Sequence, residues 1–139
     1  MKISYATPGS SPSYTVLGDE SDRSATFELF APGFQPLNQV EPLAGGSNTF
    51  KAARGNVNSG LQIVVSIPYS TKALALAGVK TIHDAFMGVK KHLKVEEGAT
   101  VHYYPNALLT GLTPVLRGTT IQFNFQFVTD DLTTSAPTT

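Results

Sequence analysis

The sequence predicts an α+β domain: a mainly antiparallel β-sandwich, or a curled sheet or barrel, with one amphipathic helix over about residues 71–93 packed on it. Three stretches carry that expectation. In "TTIQFNFQFV", residues 119–128, Ile121, Phe123, Phe125 and Phe127 alternate with Gln122, Asn124 and Gln126. Successive side chains on a strand point to opposite faces, so one face is aromatic and the other all amide. In "LQIVVSIPY", 61–69, Ile63, Val65 and Ile67 share a face, and Pro68 places the far end of the strand at a sheet edge or outside the ladder. The period then changes. Leu74, Gly78, Ile82, Ala85, Phe86, Val89 and Leu93 recur at spacings of three and four, and Ser70 or Thr71 supplies an N-cap. Lys90, Lys91 and Lys94 then fall at the end of this helix, where cations suit its dipole, and "EEG" closes it.

The remaining elements follow in order. "ATPGSSPSY", 6–14, has no periodicity and reads as a loop or arm. "YTVLG", 14–18, is a short strand, and the polar "DESDRS" is a turn. "ATFELFAPGF", 25–34, puts Phe27 and Leu29 on one side and stops at Pro32-Gly33. Residues 35–60 are rich in Asn, Gln, Gly and Pro, too long for an ordinary hairpin loop, and are expected to form a long loop or an extended binding arm. After the helix come strands at 99–105, 107–116 and 119–128, with Arg117-Gly118 as the turn between the last two. Residues 1–128 therefore form one β-rich domain, and 129–139 a flexible tail without periodicity.

At 139 residues the chain has the size of a single domain. Its informative bulk property is a lack of charge: 14% Asp, Glu, Lys and Arg, with a formal net charge of zero. Ordinary globular chains carry about 25%. A neutral, charge-poor surface suits a protein covered by neighbours, although a small β protein with a Ser/Thr/Asn/Gln surface has the same composition. What charge there is divides along the chain. Residues 1–50 hold two basic and five acidic groups, and residues 51–98 hold seven basic and three acidic. Head-to-tail contacts between unlike patches are one use of such a division. No cysteine is present, which excludes disulfides and thiolate metal sites. The N-terminus has no signal-type apolar region, and no apolar run reaches the ~20 residues of a membrane span, so no membrane role is expected.

The residues offer little to chemistry. His83 and His92, placed on one helix nine residues apart, lie on opposite sides of it, and His102 is on a separate strand, so no metal site is expected. There is no G-x-S-x-G elbow, and the paired carboxylates Glu96-Glu97 and Asp130-Asp131 are neighbours in turn or tail. "GGSNTFKAARGN", 45–56, lacks the G-K-[ST] ending of a phosphate loop. Lys51, Arg54 and the helix lysines could touch phosphates while Phe50, Tyr103 and Tyr104 stack bases, but a neutral chain lacks the concentrated field that such binding needs. The expectation is a non-enzymatic protein without cofactors.

Gln122, Asn124 and Gln126 then become the candidate site. A face open to bulk water commonly carries charge, which also blocks edge-to-edge aggregation, and a core face would be apolar. Neutral amides fit a surface that is wet yet crowded, such as a lumen or a subunit contact. Three segments together, "RGNVNSGLQIVVSIPY", "STKALALAGVKTIHDAFMGVKKHL" and "GTTIQFNFQFV", resemble phage tail structural proteins, the tail-tube type in particular, over residues 45–128. The resemblance implies a virion protein assembled in the host cytoplasm. It further implies homo-oligomeric rings or a tube, contacts with other virion proteins, and DNA passing without sequence-specific binding. The loop reaching a neighbour would be 35–60, with Asn38, Asn48, Phe50, Lys51, Arg54 and Asn56 as contact residues. A capsid or coat protein is a rival, but small RNA-phage coat proteins place their helices after the sheet. From a different class comes a monomeric β-barrel or sandwich that binds a small ligand or carbohydrate, with Tyr103, Tyr104 and the amide strand lining its pocket.

Overall fold

A computed structural model describes residues 1–30, 36–42, 49–56, 59–130 and 132–139. Its elements are β1 (Lys2–Ala6), β2 (Thr15–Asp19), β3 (Thr26–Phe30), β4 (Pro36–Pro42), β5 (Thr49–Asn56), β6 (Ser59–Pro68), α1 (Lys72–Phe86), β7 (Lys90–Glu97), β8 (Thr100–Arg117) and β9 (Thr120–Thr129). Seven strands form one antiparallel sheet in the order β2-β1-β7-β8-β9-β6-β3, and β4 and β5 form a separate two-stranded ribbon. This is the curled antiparallel sheet with one helix that the periodicities predict, and it is not closed. No helix among the described residues is long and apolar enough to cross a membrane.

The curl has a visible cause. β8 is 18 residues long and serves two half-sheets. Its first half pairs with β7 and its second half with β9, and Leu108 meets both. Between them Asn106 adopts φ +52° in a bulge, and a second register shift lies between Leu109 and Gly111. Bulges bend the strand that carries them, and a bent strand can turn from one layer to the next. The sequence reads this stretch as two strands, 99–105 and 107–116, because Pro105-Asn106 interrupts the alternation. Asn tolerates the left-handed conformation, so the strand kinks there and continues.

At the other end of the curl the two edge strands meet. A turn at 20–25 joins β2 to β3. Asp19 Oδ1 accepts from the Ser21 amide at 2.9 Å and from its hydroxyl at 2.7 Å, and Asp22 Oδ1 accepts from the Ser24 amide at 2.9 Å. The Ser21 hydroxyl bond holds the Asp19 carboxyl below the usual carboxylate range. Gly18 is buried here, where a Cβ would stand 2.5 Å from Ala25 Cβ and 2.9 Å from the Phe27 ring. Only a residue without a side chain lets the edges come this close.

The helix corrects the sequence reading. It spans 72–86, capped by Thr71, whose hydroxyl accepts from the Leu74 amide at 3.2 Å. Met87 is extended and Gly88 has φ +74°, the left-handed turn that commonly ends helices just past the C-cap. Residues 90–97, expected as the helix end and its closing turn, are instead strand β7. Leu93 and Val95 point into the core from that strand, and Leu93 also fits the helical spacing, which is why the periodicity ran on. The lysine cluster therefore lies on a strand, where Lys91 donates to Thr7 Oγ1 at 3.0 Å. The chain also opens with a strand, β1, that its pattern hides: Ile3 and Ser4 are both buried beside a bulge, so no alternation shows.

Aromatic rings form the core. Phe86 of α1 sits 5.4 Å from Phe125, 5.6 Å from Phe127 and 4.8 Å from Tyr5, centroid to centroid. Phe123, Phe125 and Phe127 stack in file along β9, and they, Phe86 and Leu93 are all buried, as the alternation predicts.

The C-terminal segment lies back on the sheet. Thr133 exchanges backbone hydrogen bonds with Tyr103 at 2.8 and 2.9 Å, and Leu132 packs on the core. His92, fully buried, ties this segment down. Its Nδ1 accepts from the Asn106 amide at 3.1 Å, so the ring proton sits on Nε2, which donates to the Thr139 backbone oxygen at 2.9 Å. His92→Leu leaves that amide unpaired and is expected to cost about 1–3 kcal/mol in urea unfolding, with faster hydrogen exchange at Thr133. Unchanged exchange there would mean that His92 does not hold the segment.

Candidate functional site

β9 runs through the middle of a four-stranded half-sheet, between β8 and β6. Pairing registers place residues of four strands in rows on its outer face, away from the helix. One row is Thr26, Ser66, Gln122, Val115, the next is Glu28, Val64, Asn124, Thr113, and Gln62, Gln126 and Gly111 begin a third. Gln122 and Asn124 are half-buried and Gln126 is exposed. Gln62 Nε2 donates to Asn124 Oδ1 at 3.0 Å. The amides thus belong to a broad polar face with Glu28 as its one charge among these rows, and Val64 is buried between them. Sequence reasoning found three of these residues from one strand. Gln62, Ser66 and Thr113 come from strands whose own alternation showed only the apolar side.

The chain's other candidate contacts lie on the ribbon. Asn38 is on β4, and Phe50, Lys51, Arg54 and Asn56 are on β5. Asn48 lies outside the described residues, as do 35, 43–47 and 57–58 of the segment expected as an arm. Where a loop was expected, the backbone forms an antiparallel ribbon with Val40 opposite Lys51 and Glu41 opposite Phe50.

Elsewhere, among the described residues, no three His, Cys, Asp or Glu side chains stand close enough to hold a metal. His83 is exposed on α1 beside Asp84 at 3.1 Å, His92 is buried in β7, and His102 is half-buried on β8. The opposite-sides argument for His83 and His92 falls with the shortened helix, since His92 is on a strand. Asp84 is held low by its hydrogen bond from Lys80 and by His83, on an exposed surface. Tyr104 is buried, its hydroxyl pushed up by burial, and Tyr103 is bound through its backbone to Thr133. Both tyrosines lie on the half of β8 that pairs with β7, apart from the half that pairs with the amide strand. A groove of about 230 Å³ lies elsewhere, between Val79, His83 and Met87 of the helix region and Leu109, Gly111, Leu112 and Pro114 of β8.

The fold and face define a class: a curled, one-helix antiparallel domain whose polar side is largely uncharged. No protein-family profile matches the chain, and no curated protein matches its sequence. Among solved structures the fold is similar to a chain in the structure of the phage p2 baseplate in its activated conformation with Sr. The TM-score is 0.67 at 13% identity, and the match covers 92% of this chain and 43% of that one. This chain thus spans less than half the length of the baseplate chain, and at that identity the likeness is one of fold.

Proposed function

We propose that this chain is a non-enzymatic structural component of a phage virion, a tail tube or related tail part, which self-assembles into rings or a tube. The observation that carries this reading is the fold likeness to a phage p2 baseplate chain over 92% of the present chain. The largely uncharged outer face of β3, β6, β9 and β8 supports it, because amides and hydroxyls hydrate without gripping a charged polymer. In this reading Gln122, Asn124 and Gln126 face a lumen through which DNA passes without sequence-specific contact. The ribbon β4–β5, carrying Asn38, Phe50, Lys51, Arg54 and Asn56, reaches a neighbouring copy or another virion protein. The site of action is the virion, assembled in the host cytoplasm.

Size-exclusion chromatography with light scattering, at roughly tens of micromolar, tests this, with negative-stain microscopy of the main peak. Ring-shaped particles of several copies are expected. A monomer at every concentration would overturn self-assembly.

A further inference from the structure

The outer faces of the two half-sheets differ. On β8-β9-β6-β3 it is the polar amide face. On the other half-sheet, β1 and β7 put Ala6 beside His92 and Ser4 beside Lys94, with Tyr103 of β8 next to Lys94. These positions alternate with the core residues Ile3, Leu93 and Val95, so they look away from the core. Ala6 is nonetheless 2% exposed and His92 0%. A third layer covers this face. Tyr14, from the segment before β2, has its ring 6.2 Å from that of Tyr103, and Lys94 Nζ stands 5.6 Å from the Tyr14 centroid. The chain after β9 supplies the rest, through Thr133 on Tyr103 and Thr139 on His92.

That last segment follows the edge of β8 that β9 leaves. β9 ends at Thr129, and Val128 meets β8 at Leu108. Nearer the start of β8 the same edge receives the Asp130 amide, which donates to the Pro105 carbonyl at 3.0 Å, and the two Thr133 bonds to Tyr103. Asp130 is fixed from the side as well, its Oδ2 accepting from Asn106 Nδ2 at 2.7 Å. Beyond it the hold is slight. Leu132 is half-buried, Thr134, Ser135, Ala136, Thr138 and Thr139 are exposed, and Pro137 has no N–H to give. β9 itself faces a β6 partner at every position from Thr120 to Thr129. Local opening falls where few backbone bonds and few apolar contacts hold a segment. An uncovered strand edge is a template for pairing with another chain, and folded proteins commonly cover such edges.

We infer that residues 132–139 form a strap that lifts off the sheet as a unit while the core stays folded. Its hinge is at Asp130 and its catch is His92. Closed, it guards the edge of β8 at residues 101–105. The backbone groups of successive strand residues point to opposite edges, so Val101 aims its N–H at the same guarded edge as Tyr103.

Native-state hydrogen exchange of the full chain, in urea below the unfolding transition, reads the opening directly. The Tyr103 and Thr133 amides, bonded across the strap, are expected to be at least ~10-fold less protected than those of Phe123 and Phe125, with little dependence on urea. Equal protection and equal urea dependence at all four would overturn the strap. A chain ending at Thr129 supplies a second readout. It is expected to keep a cooperative unfolding transition and to reach a given mean mass in light scattering at a concentration at least ~10-fold below that of the full chain. Adding Val101→Pro, which removes a donor from the guarded edge and leaves the bonds to β7 in place, should abolish that gain. Loss of the cooperative transition would mean that the segment belongs to the core, which overturns the strap. A folded short chain that associates no more than the full one, or a gain that Val101→Pro does not reduce, would overturn the guard.

Discussion

Phe125→Asp is expected to leave the chain unfolded at room temperature. The Phe125 side chain is fully buried, stacked between Phe123 and Phe127 and met edge-on by Phe86. Truncating such a ring costs about 3–5 kcal/mol. A carboxylate in its place has no partner among these rings and adds several kcal/mol more, whether it stays charged or takes up a proton. Domains of this size have about 5–15 kcal/mol in total. Loss of the circular dichroism signal and of a cooperative thermal transition would show it, and a cooperative transition near the parent midpoint would refute this account of the core. One residue away the result should invert. Asn124→Asp keeps the shape and the acceptor for Gln62 Nε2, so the fold should survive with a midpoint within a few degrees. In a ring the change adds to Glu28 a second negative charge per copy in the same row of a shared face, and self-association should weaken at low salt and recover as salt screens it. If oligomer size and salt response are unchanged, the amide face is plain solvent surface.

Phe86→Ala is expected to cost about 3–5 kcal/mol, lowering the midpoint by roughly 10 °C or more. This ring is the helix's main anchor. It contacts Tyr5 of β1 on one side and Phe125 and Phe127 of β9 on the other, so it bridges the half-sheets that β8 joins. Of the helix's other residues, Ala75 and Ile82 are buried, while Leu74 and Leu76 are exposed. A loss under about 1 kcal/mol in urea unfolding would mean that the helix is held by something other than this contact.

Much of this architecture was legible wherever one face of a strand is apolar. The alternation at 61–69 and 119–128 identified β6 and β9 closely, and the aromatic set on β9 proved to be the core. The amide set was visible for the same reason, because the two faces of one strand are read together. Legibility failed where local pattern and tertiary environment part. Leu93 satisfied the helical spacing from inside a strand. Ile3 and Ser4 hid β1 because a bulge buries both. Pro105-Asn106 marked a bend inside a strand and looked like its end. The ribbon of β4 and β5 carries no alternation in its sequence and so does not read as strands.

Which residues avoid water, and at what period, follows from side-chain order alone, since burial of apolar side chains needs only the geometry of a single strand or helix turn. The scarcity of charge follows from composition. Where the helix stops, that β8 serves two half-sheets, and that among the described residues no strand pairs with one edge of its outer half were set by the folded chain. Those outcomes depend on which backbone groups find partners across the sheet. Hydrogen-bond pairing between strands far apart in the chain leaves no local signature in side-chain order.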